Sequence, residues 1–158
     1  LFKPSVVAWA LIGGGFAIRL VERLVRAQPT ASTDEVSPRQ AFQIGCAQVL
    51  ALIPGVSRSG ATIMGGMLSG LDRRAATEFS FFLAIPMMFA ATLFDLAKSW
   101  RSLGVADIGV FAVGFITAFV SALLAIRFLI HYVSRHDFSI FAWYRITFGA
   151  GLLWYYGG

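Results

Sequence analysis

The sequence predicts an all-α protein, a polytopic membrane helical bundle that contains a re-entrant helix hairpin. Of the 158 residues, 58% are hydrophobic and only 13% are charged, and the mean hydropathy is +0.74. Soluble domains are roughly one-quarter charged, so these few charges cannot cover a surface in contact with water. Several apolar segments also have membrane-spanning length, and one apolar stretch is interrupted by a polar loop. Together these observations predict a single transmembrane domain over residues 1–158.

Four segments are candidates for spanning helices. Each approaches the roughly 20 apolar residues that are needed to cross a hydrocarbon layer roughly 30 Å thick. They are residues 6–25, 75–97, 108–133 and 140–156. The first segment carries Arg19, Glu22 and Arg23 near its far end, and the last carries aromatic side chains towards both ends, where they favour the headgroup region. A polar connector that contains a proline occupies residues 28–39.

Residues 41–71 form a different kind of segment. Their apolar run breaks at Pro54 and resumes at Ile63, which leaves two pieces of 13 and 9 residues. Neither piece is long enough to span a bilayer, and the polar loop 54–62 between them requires protein or a water-filled cavity around it. We therefore predict a re-entrant hairpin that enters and leaves the membrane on one face.

The basic residues indicate how this topology is oriented. If the hairpin enters and leaves on one face, nine basic residues share that face and three lie opposite. The nine are Arg19, Arg23, Arg26, Arg39, Arg73, Arg74, Arg127, Arg135 and Arg145, and the three are Lys3, Lys98 and Arg101. The positive-inside rule then places the hairpin ends in the cytoplasm and the C-terminus outside, with Arg58 between the faces. This distribution explains the net charge of +5 and indicates no nucleic-acid partner. Two full spans would give the same count, so only segment length favours the hairpin.

The loop of the hairpin has the composition of an anion site. A charged side chain at membrane depth needs a partner or a wet pocket, so Arg58 is expected to have a function. Ser57, Ser59 and Thr62 offer hydroxyl groups, and the neighbouring glycines let backbone N–H groups turn inward. A helix that begins near Ser59 or Gly60 would add the unpaired N–H groups of its first turn, and Arg58 would bind phosphate oxygens with its planar fork.

Several side chains have a second, purely structural interpretation. Ser59 could cap a helix while Arg58 pairs with a carboxylate elsewhere in the bundle. Glu78 could stabilise a helix N-terminus near Arg74 as readily as it could support the loop. The loop lacks the Gly-Lys-Ser/Thr ending of a nucleotide P-loop, so an ATPase is not supported. His131 and His136 have no companion ligands and do not form a metal site.

The loop and its flanks resemble a known family. The run 48–62 reads Gln-Val-Leu-Ala-Leu-Ile-Pro-Gly-Val-Ser-Arg-Ser-Gly-Ala-Thr, and it is followed by Glu-Phe-Ser-Phe at 78–81 and Phe-Ala-Trp-Tyr-Arg at 141–145. These stretches are similar to those of undecaprenyl-pyrophosphate phosphatase, the bacitracin-resistance family. The resemblance covers the chain from about Leu1 to the C-terminus.

The resemblance implies an enzyme of the bacterial plasma membrane. It would remove the terminal phosphate of undecaprenyl pyrophosphate and so recycle the lipid carrier of cell-wall synthesis. The family fold implies an inverted repeat, of which this chain is one half, with two hairpin loops meeting inside the membrane. Carried onto this sequence, the pyrophosphate-binding residues are Gly55, Ser57, Arg58, Ser59, Gly60, Ala61 and Thr62. Arg58, Ser57 and Ser59 are the catalytic candidates, and Gln48 and Glu78 are candidates for supporting them.

One part of the family pattern has no counterpart here. The first family signature, which is rich in glutamate, is absent. Alanine stands at 47 and 51, the positions that would correspond to its glutamates in an inverted repeat. The chain therefore looks like the C-terminal part of a longer protein. The resemblance implies a divalent cation, Mg²⁺ or Ca²⁺, whose ligands lie in the other half and not in this chain. We expect the 158 residues alone to be inactive.

Two other functions remain open at this stage. A transporter or flippase of an anionic polyprenyl lipid would also use broken helices aimed at an anion in mid-membrane. A purely structural membrane subunit would explain the apolar spans but would leave Arg58 without a role. A homodimer is a further candidate assembly.

Overall fold

The computed structural model describes residues 3–25, 32–99 and 108–156. The α-helices are α1 (Pro4–Leu24), α2 (Pro38–Gln48), α3 (Arg58–Leu68), α4 (Arg73–Ser99), α5 (Ile108–Val133) and α6 (Ser139–Tyr156). These bounds confirm the all-helical class and the four long helices. Two shorter helices also occur close to the predicted segment 41–71, but α2 begins at Pro38, inside the stretch predicted as a connector. Arg26 and Arg101 of the charge count lie outside the described residues, as do connector residues 28–31.

Three of the helices, α1, α4 and α5, are long and apolar enough to cross a membrane. The protein is therefore a membrane helical bundle. α6 has 18 residues and falls outside this set, although it packs against α1 along its length. The second half of α4 and nearly all of α5 expose their apolar side chains, as expected for surfaces that face lipid or other apolar protein.

Small residues bring α1 and α6 into close antiparallel contact. A Cβ at Gly15 would lie 2.7 Å from the Ala142 carbonyl oxygen, and a Cβ at Gly149 would lie 2.8 Å from that of Ala8. Ala8 and Ala142 are themselves fully buried. Glycine and alanine are required here because larger side chains would force the two backbones apart.

Helices α2 and α3 form an antiparallel hairpin. Each has 11 residues, which corresponds to roughly 16 Å, about half a hydrocarbon layer. Gln40 near the start of α2 donates to the Ser69 carbonyl oxygen after α3, and Ala47 near the end of α2 faces Gly65. α2 begins at Pro38 because Ser37 and Gln40 form a capping box. The predicted helix–loop–helix is thus confirmed, and its insertion into a membrane stays a prediction.

A tight turn joins α3 to α4. Gly70 has a φ of +97°, which favours glycine, and Asp72 accepts a hydrogen bond from the Ala75 N–H at 2.6 Å. A second connection lies two turns further along α4, where the hydroxyls of Thr62 and Ser80 are 2.6 Å apart and buried. The end and the middle of α3 are therefore both attached to α4.

A buried carboxylate ties three parts of the chain together. The Glu22 side chain on α1 is only 5% exposed. It accepts hydrogen bonds from Arg73 Nε at 3.0 and 3.1 Å, and from the Phe138 N–H at 2.9 Å. Glu22 thereby joins α1 to the start of α4 and to the segment that leads into α6.

A second set of polar contacts reinforces the same end of the bundle. Arg19 donates to the Ser139 hydroxyl. Ser139 in turn donates to Asp137 from its hydroxyl and its N–H, at 2.8 and 3.1 Å. These hydrogen bonds hold the pKa of Asp137 below its usual value, so this carboxylate stays ionised beside the arginines. Arg19 and Arg73 therefore lie at one end of the bundle, as the charge count requires.

The loop of the hairpin lies far from that end. Gly55 packs on α1 so closely that a Cβ would lie 2.6 Å from the Val7 carbonyl oxygen and 3.0 Å from the Ala10 Cβ. These residues precede Glu22 by 15 and 12 positions. At about 1.5 Å per residue, the loop lies roughly 18–22 Å along α1 from the Glu22 carboxylate.

We predict that Glu22→Gln lowers the thermal stability of the protein. The amide retains an acceptor for the Phe138 N–H but loses the charge that pairs with Arg73, at a cost of about 1–2 kcal/mol. Thermal unfolding in detergent measures the effect. Glu78→Gln is the matched control because the Arg74–Glu78 pair is an exposed i,i+4 pair, for which little change in Tm is expected. Equal shifts in the two variants would contradict the proposed importance of Glu22.

Candidate active site

The Pro54–Gly55 turn positions the loop against α1. Gly55 has a φ of +92°, a backbone conformation that residues other than glycine rarely adopt. The same residue has no room for a Cβ, because the backbone of Val7 occupies that space. Glycine at 55 is thus required twice, once by the turn and once by the close approach to α1.

Ser57 caps α3. Its Oγ accepts a hydrogen bond from the Gly60 N–H at 3.1 Å, and its carbonyl oxygen accepts one from the Ala61 N–H. The helix begins at Arg58, one or two residues earlier than the sequence predicted, and Ser57 rather than Ser59 is the cap. Within the part of the chain that the structure describes, the N–H groups of Arg58 and Ser59 have no hydrogen-bond acceptor. They form the positive N-terminus of α3, a geometry suited to binding an anion.

A second arginine reaches this loop from α6. Arg145 Nη2 donates to the carbonyl oxygens of Gly55 at 3.0 Å and Ala10 at 3.3 Å. The guanidinium passes over Gly14, where a Cβ would collide with Nη2. Arg145 Nε is buried and has no partner among the described residues. An arginine of α6 thus lies against the loop with part of its donor capacity unused.

The position of Arg145 corrects the charge count made from the sequence. That count placed Arg145 with the cytoplasmic residues because it lies near the start of the last apolar segment. In the structure it lies at the depth of Ala10 and Gly14, inside the bundle, so eight basic residues rather than nine belong to that face. The signal was available, since an arginine within an apolar helix calls for the same explanation as Arg58.

Two cavities flank the loop. The first, of about 220 Å³, lies between α1, the α2–α3 hairpin and Arg145. The second, of about 270 Å³, is bordered by Ser59, Phe141 and Tyr144 as well as by α3. Ser57, Gly60 and Arg145 line both cavities. Two of the loop residues predicted from the sequence, Ser57 and Gly60, therefore line the same cavities as Arg145, which was not predicted.

The other predicted site residues have different surroundings. Arg58 lines neither cavity, and its Nη1 is buried without a partner among the described residues. Ala61 lines the first cavity. Thr62 is 1% exposed, and its hydroxyl bonds to Ser80 and to backbone carbonyls of its own helix. Its hydroxyl therefore joins α3 to α4 and is directed away from the cavities.

Gln48 and Glu78, the two candidate supporting residues, do not contact the loop through any hydrogen bond in the described structure. Gln48 Oε1 is buried without a partner there. Glu78 accepts a hydrogen bond from Arg74 Nε at 2.8 Å, which is the structural alternative considered from the sequence. Glu78 also borders a separate groove between α4 and α5.

The donor atoms around the loop do not fit a divalent cation. Among residues 3–25, 32–99 and 108–156, no three His, Cys, Asp or Glu side chains come together. The loop presents N–H groups, hydroxyls and a guanidinium, which bind anions, whereas Mg²⁺ and Ca²⁺ prefer carboxylate oxygens. The chemistry of these donor groups therefore suits an anion better than a cation.

Comparison with known proteins decides the family. Residues 1–151 match the bacitracin resistance protein BacA family. The chain belongs to this family. A protein of Nitrosomonas europaea named undecaprenyl-diphosphatase is 58% identical to this chain, over 94% of this chain and 55% of that protein. A protein of the same name from Methylobacillus flagellatus is 56% identical, over 99% of this chain and 60% of that protein. A third, from Burkholderia mallei, is 55% identical over 97% of this chain and 57% of that protein.

Family membership agrees with the fold and with the placement of the chain in a bacterial membrane. The chain spans slightly more than half the length of the relatives that it matches. The structure therefore describes one candidate loop within a family whose named members are longer.

We predict that Gly55→Ala destabilises the protein, whereas Gly45→Ala does not. At position 55 an alanine must adopt a positive φ and meets the Val7 backbone, which together cost at least about 1 kcal/mol. At position 45, in the middle of α2, a Cβ meets nothing within 4 Å, so alanine is expected to stabilise the helix by about 0.5–1 kcal/mol. Thermal unfolding of both variants tests this, and a neutral Gly55→Ala would contradict the loop geometry.

Proposed function

We propose that this chain provides a pyrophosphate-binding loop of an enzyme that hydrolyses undecaprenyl pyrophosphate to undecaprenyl phosphate and inorganic phosphate. The observation that carries the proposal is that Ser57 and Gly60, at the N-terminus of α3, line the same two cavities as Arg145. Family membership and the names of the relatives support the same substrate. The reaction would recycle the lipid carrier of cell-wall synthesis.

The loop would act by holding and stabilising phosphoryl charge. Hydrolysis replaces the bond between the terminal phosphorus and the bridging oxygen with a bond to a water oxygen. Negative charge on the equatorial and leaving oxygens must be stabilised while this happens, and fixed donors achieve this without reorganisation. The N–H groups of Arg58 and Ser59 and the fork of Arg145 are such donors. The Nη1 of Arg58, buried without a partner among the described residues, is a further candidate donor.

The serines are proposed to donate hydrogen bonds. Ser57 Oγ accepts from the Gly60 N–H, which leaves its proton free to bond a phosphate oxygen. Ser59 lines the second cavity beside Arg145. Neither hydroxyl contacts a carboxylate or a histidine in the described structure, and nucleophilic serines require such a base. We therefore assign the attack to water.

Two parts of the proposed function, a divalent cation and a homodimer, do not rest on contacts seen in the described structure. A divalent cation, expected from the family resemblance, would take its ligands from residues other than those of this loop, and no step is assigned to it. A homodimer is proposed as one way to cover the exposed faces of α4 and α5. Sedimentation or native mass spectrometry in detergent would report a single protomer mass if that assembly does not form.

The loop is proposed to lie within the membrane, in its outer half. The ion-paired end of α1 carries the arginines that the positive-inside rule assigns to the cytoplasm. The loop is roughly 18–22 Å from that end along α1, most of the way across a hydrocarbon layer of roughly 30 Å. Helix lengths in α2 and α3 are consistent with a hairpin that enters from the cytoplasmic side and turns back.

We predict that Arg145→Lys lowers kcat for phosphate release by about 100-fold in the complete gene product that carries this sequence. Lysine preserves the charge but lacks the planar guanidinium, which can donate two parallel hydrogen bonds. Loss of one donor that stabilises transition-state charge costs about 10²–10³ in rate in other enzymes. Arg58→Ala is expected to cost at least as much. Arg135→Ala, at an exposed position near the end of the bundle, is the control and is expected to retain full activity. A loss of only a few-fold in both site variants, with unchanged thermal stability, would refute charge stabilisation by this loop.

We also predict that the 158-residue chain alone releases no phosphate from a polyprenyl pyrophosphate in detergent, whereas the complete gene product does. The reason is that, among the described residues, no aspartate or glutamate lines either cavity at the loop to orient an attacking water. Activity of both proteins would direct the search for a base to Glu78 and its neighbours. If both proteins are folded and neither releases phosphate, the result would favour transport of an anionic polyprenyl lipid.

A further inference from the structure

The first cavity is itself a largely apolar groove between α1 and α2. Within the described residues these two helices do not pack against each other, and α3 forms the floor of the space between them. The walls include Ala17 and Val21 of α1, Ala47 at the end of α2, and Leu50 in the turn that follows. We call this space the α1–α2 groove.

The two ends of the α1–α2 groove differ in polarity. One end is bordered by Ser57 and Arg145, whose buried Nε has no partner among the described residues. At the edges of the groove, Leu50 and Leu68 are 58% and 60% exposed, so the groove opens sideways towards lipid. A polar, cationic end that leads into an apolar channel matches an amphiphile with an anionic head.

Small side chains keep the groove open. Glycine or alanine stands at 14, 17, 47, 60, 61 and 65 along its walls and floor. The volume of about 220 Å³ is several times the roughly 30 Å³ that one water molecule occupies in the liquid. An apolar space of this size is better filled by hydrocarbon than by water, because apolar cavities of comparable size stay dry.

A second apolar groove, between α4 and α5, is larger but suits this ligand less well. It has a volume of about 500 Å³ and is bordered by Phe81, Met88 and Ile126. Its polar lining residues are Glu78 and Thr33. The Glu78 carboxylate would repel an anionic head, whereas Arg145 at the α1–α2 groove attracts one.

We propose that the α1–α2 groove holds the first isoprene units of the prenyl pyrophosphate substrate, next to the pyrophosphate at the loop. This inference rests on the proposed function. The chain of the substrate would leave the loop along α3 and emerge between Leu50 and Leu68 into lipid. The width of the groove at Ala17 would then determine affinity for the prenyl chain, independently of affinity for the pyrophosphate.

The test is Ala17→Phe in the complete gene product, assayed by phosphate release from farnesyl pyrophosphate. Ala17 is exposed in the groove wall, so a larger side chain fills the groove without replacing a buried contact. KM is expected to rise at least about tenfold while kcat changes less than about twofold, because the groove binds the chain equally in the ground and transition states. The Ki of inorganic pyrophosphate, which has no chain, is expected to stay unchanged.

Ala112→Phe is the matched control, since Ala112 is exposed on α5 away from both the loop and the α1–α2 groove. Ala17→Leu serves as a milder variant if Ala17→Phe does not fold, with a smaller rise in KM expected. An unchanged KM in a folded Ala17 variant would overturn the proposal. A Ki for inorganic pyrophosphate that rises in parallel with KM would also overturn it, since the groove would then affect the head of the substrate. Failure of the proposed function itself is distinct, because the unsubstituted protein would release no phosphate.

Discussion

The buried carboxylate of Glu22 is the interaction on which the arrangement of the helices depends. It holds the start of α4 through Arg73 and the segment before α6 through the Phe138 N–H, both against the same turn of α1. α3 is attached to α4 by a short turn and by the Thr62–Ser80 hydrogen bond, so its position follows from that of α4. The depth of the loop along α1, and the point where Arg145 reaches it, are therefore consequences of contacts made at the other end of the bundle.

Close backbone packing allows polar groups to lie inside an apolar bundle. Gly14, Gly15 and Gly149 bring α1 and α6 together, and Gly55 brings the loop against α1. Backbone carbonyls at Ala10 and Gly55 then face the Arg145 guanidinium and satisfy part of its hydrogen-bonding capacity. The remaining capacity, together with the free N–H groups of α3, is what an anion can use. An unpaired polar group in such surroundings is costly, so its presence in a folded protein points to a ligand.

The sequence predicted most of the fold because its signals are local. Apolar length identifies the four long helices, and the Pro54–Gly55 pair identifies the break in the hairpin. The start of α3 was misplaced because Ser57 and Ser59 are both good caps, and only the backbone geometry selects Ser57. The role of Glu22 was out of reach, since its partners are separated from it by 51 and 116 positions and no periodicity links them.

The candidate site was predicted only in part, again because sequence signals are local. The loop residues are contiguous, so their chemistry could be read directly, whereas Arg145 joins them only through the antiparallel packing of α6 on α1. The place of Arg145 near the start of an apolar segment suggested a topological role. The side chain points inward because of how α6 is rotated about its axis, and a single sequence carries no signal for that rotation. Thr62 illustrates the converse, because a hydroxyl within a phosphate-type motif lies on the side of α3 that faces α4.

The central claim is that the N-terminus of α3 and Arg145 together bind the pyrophosphate. The most direct measurement is an experimental structure of the complete gene product with a non-hydrolysable methylene-bridged polyprenyl diphosphonate. We predict phosphonate oxygens within hydrogen-bond distance of the Arg58 and Ser59 N–H groups and of the Arg145 guanidinium. A diphosphonate bound elsewhere, such as beside Glu78 between α4 and α5, or a guanidinium that stays bonded only to Ala10 and Gly55, would contradict it.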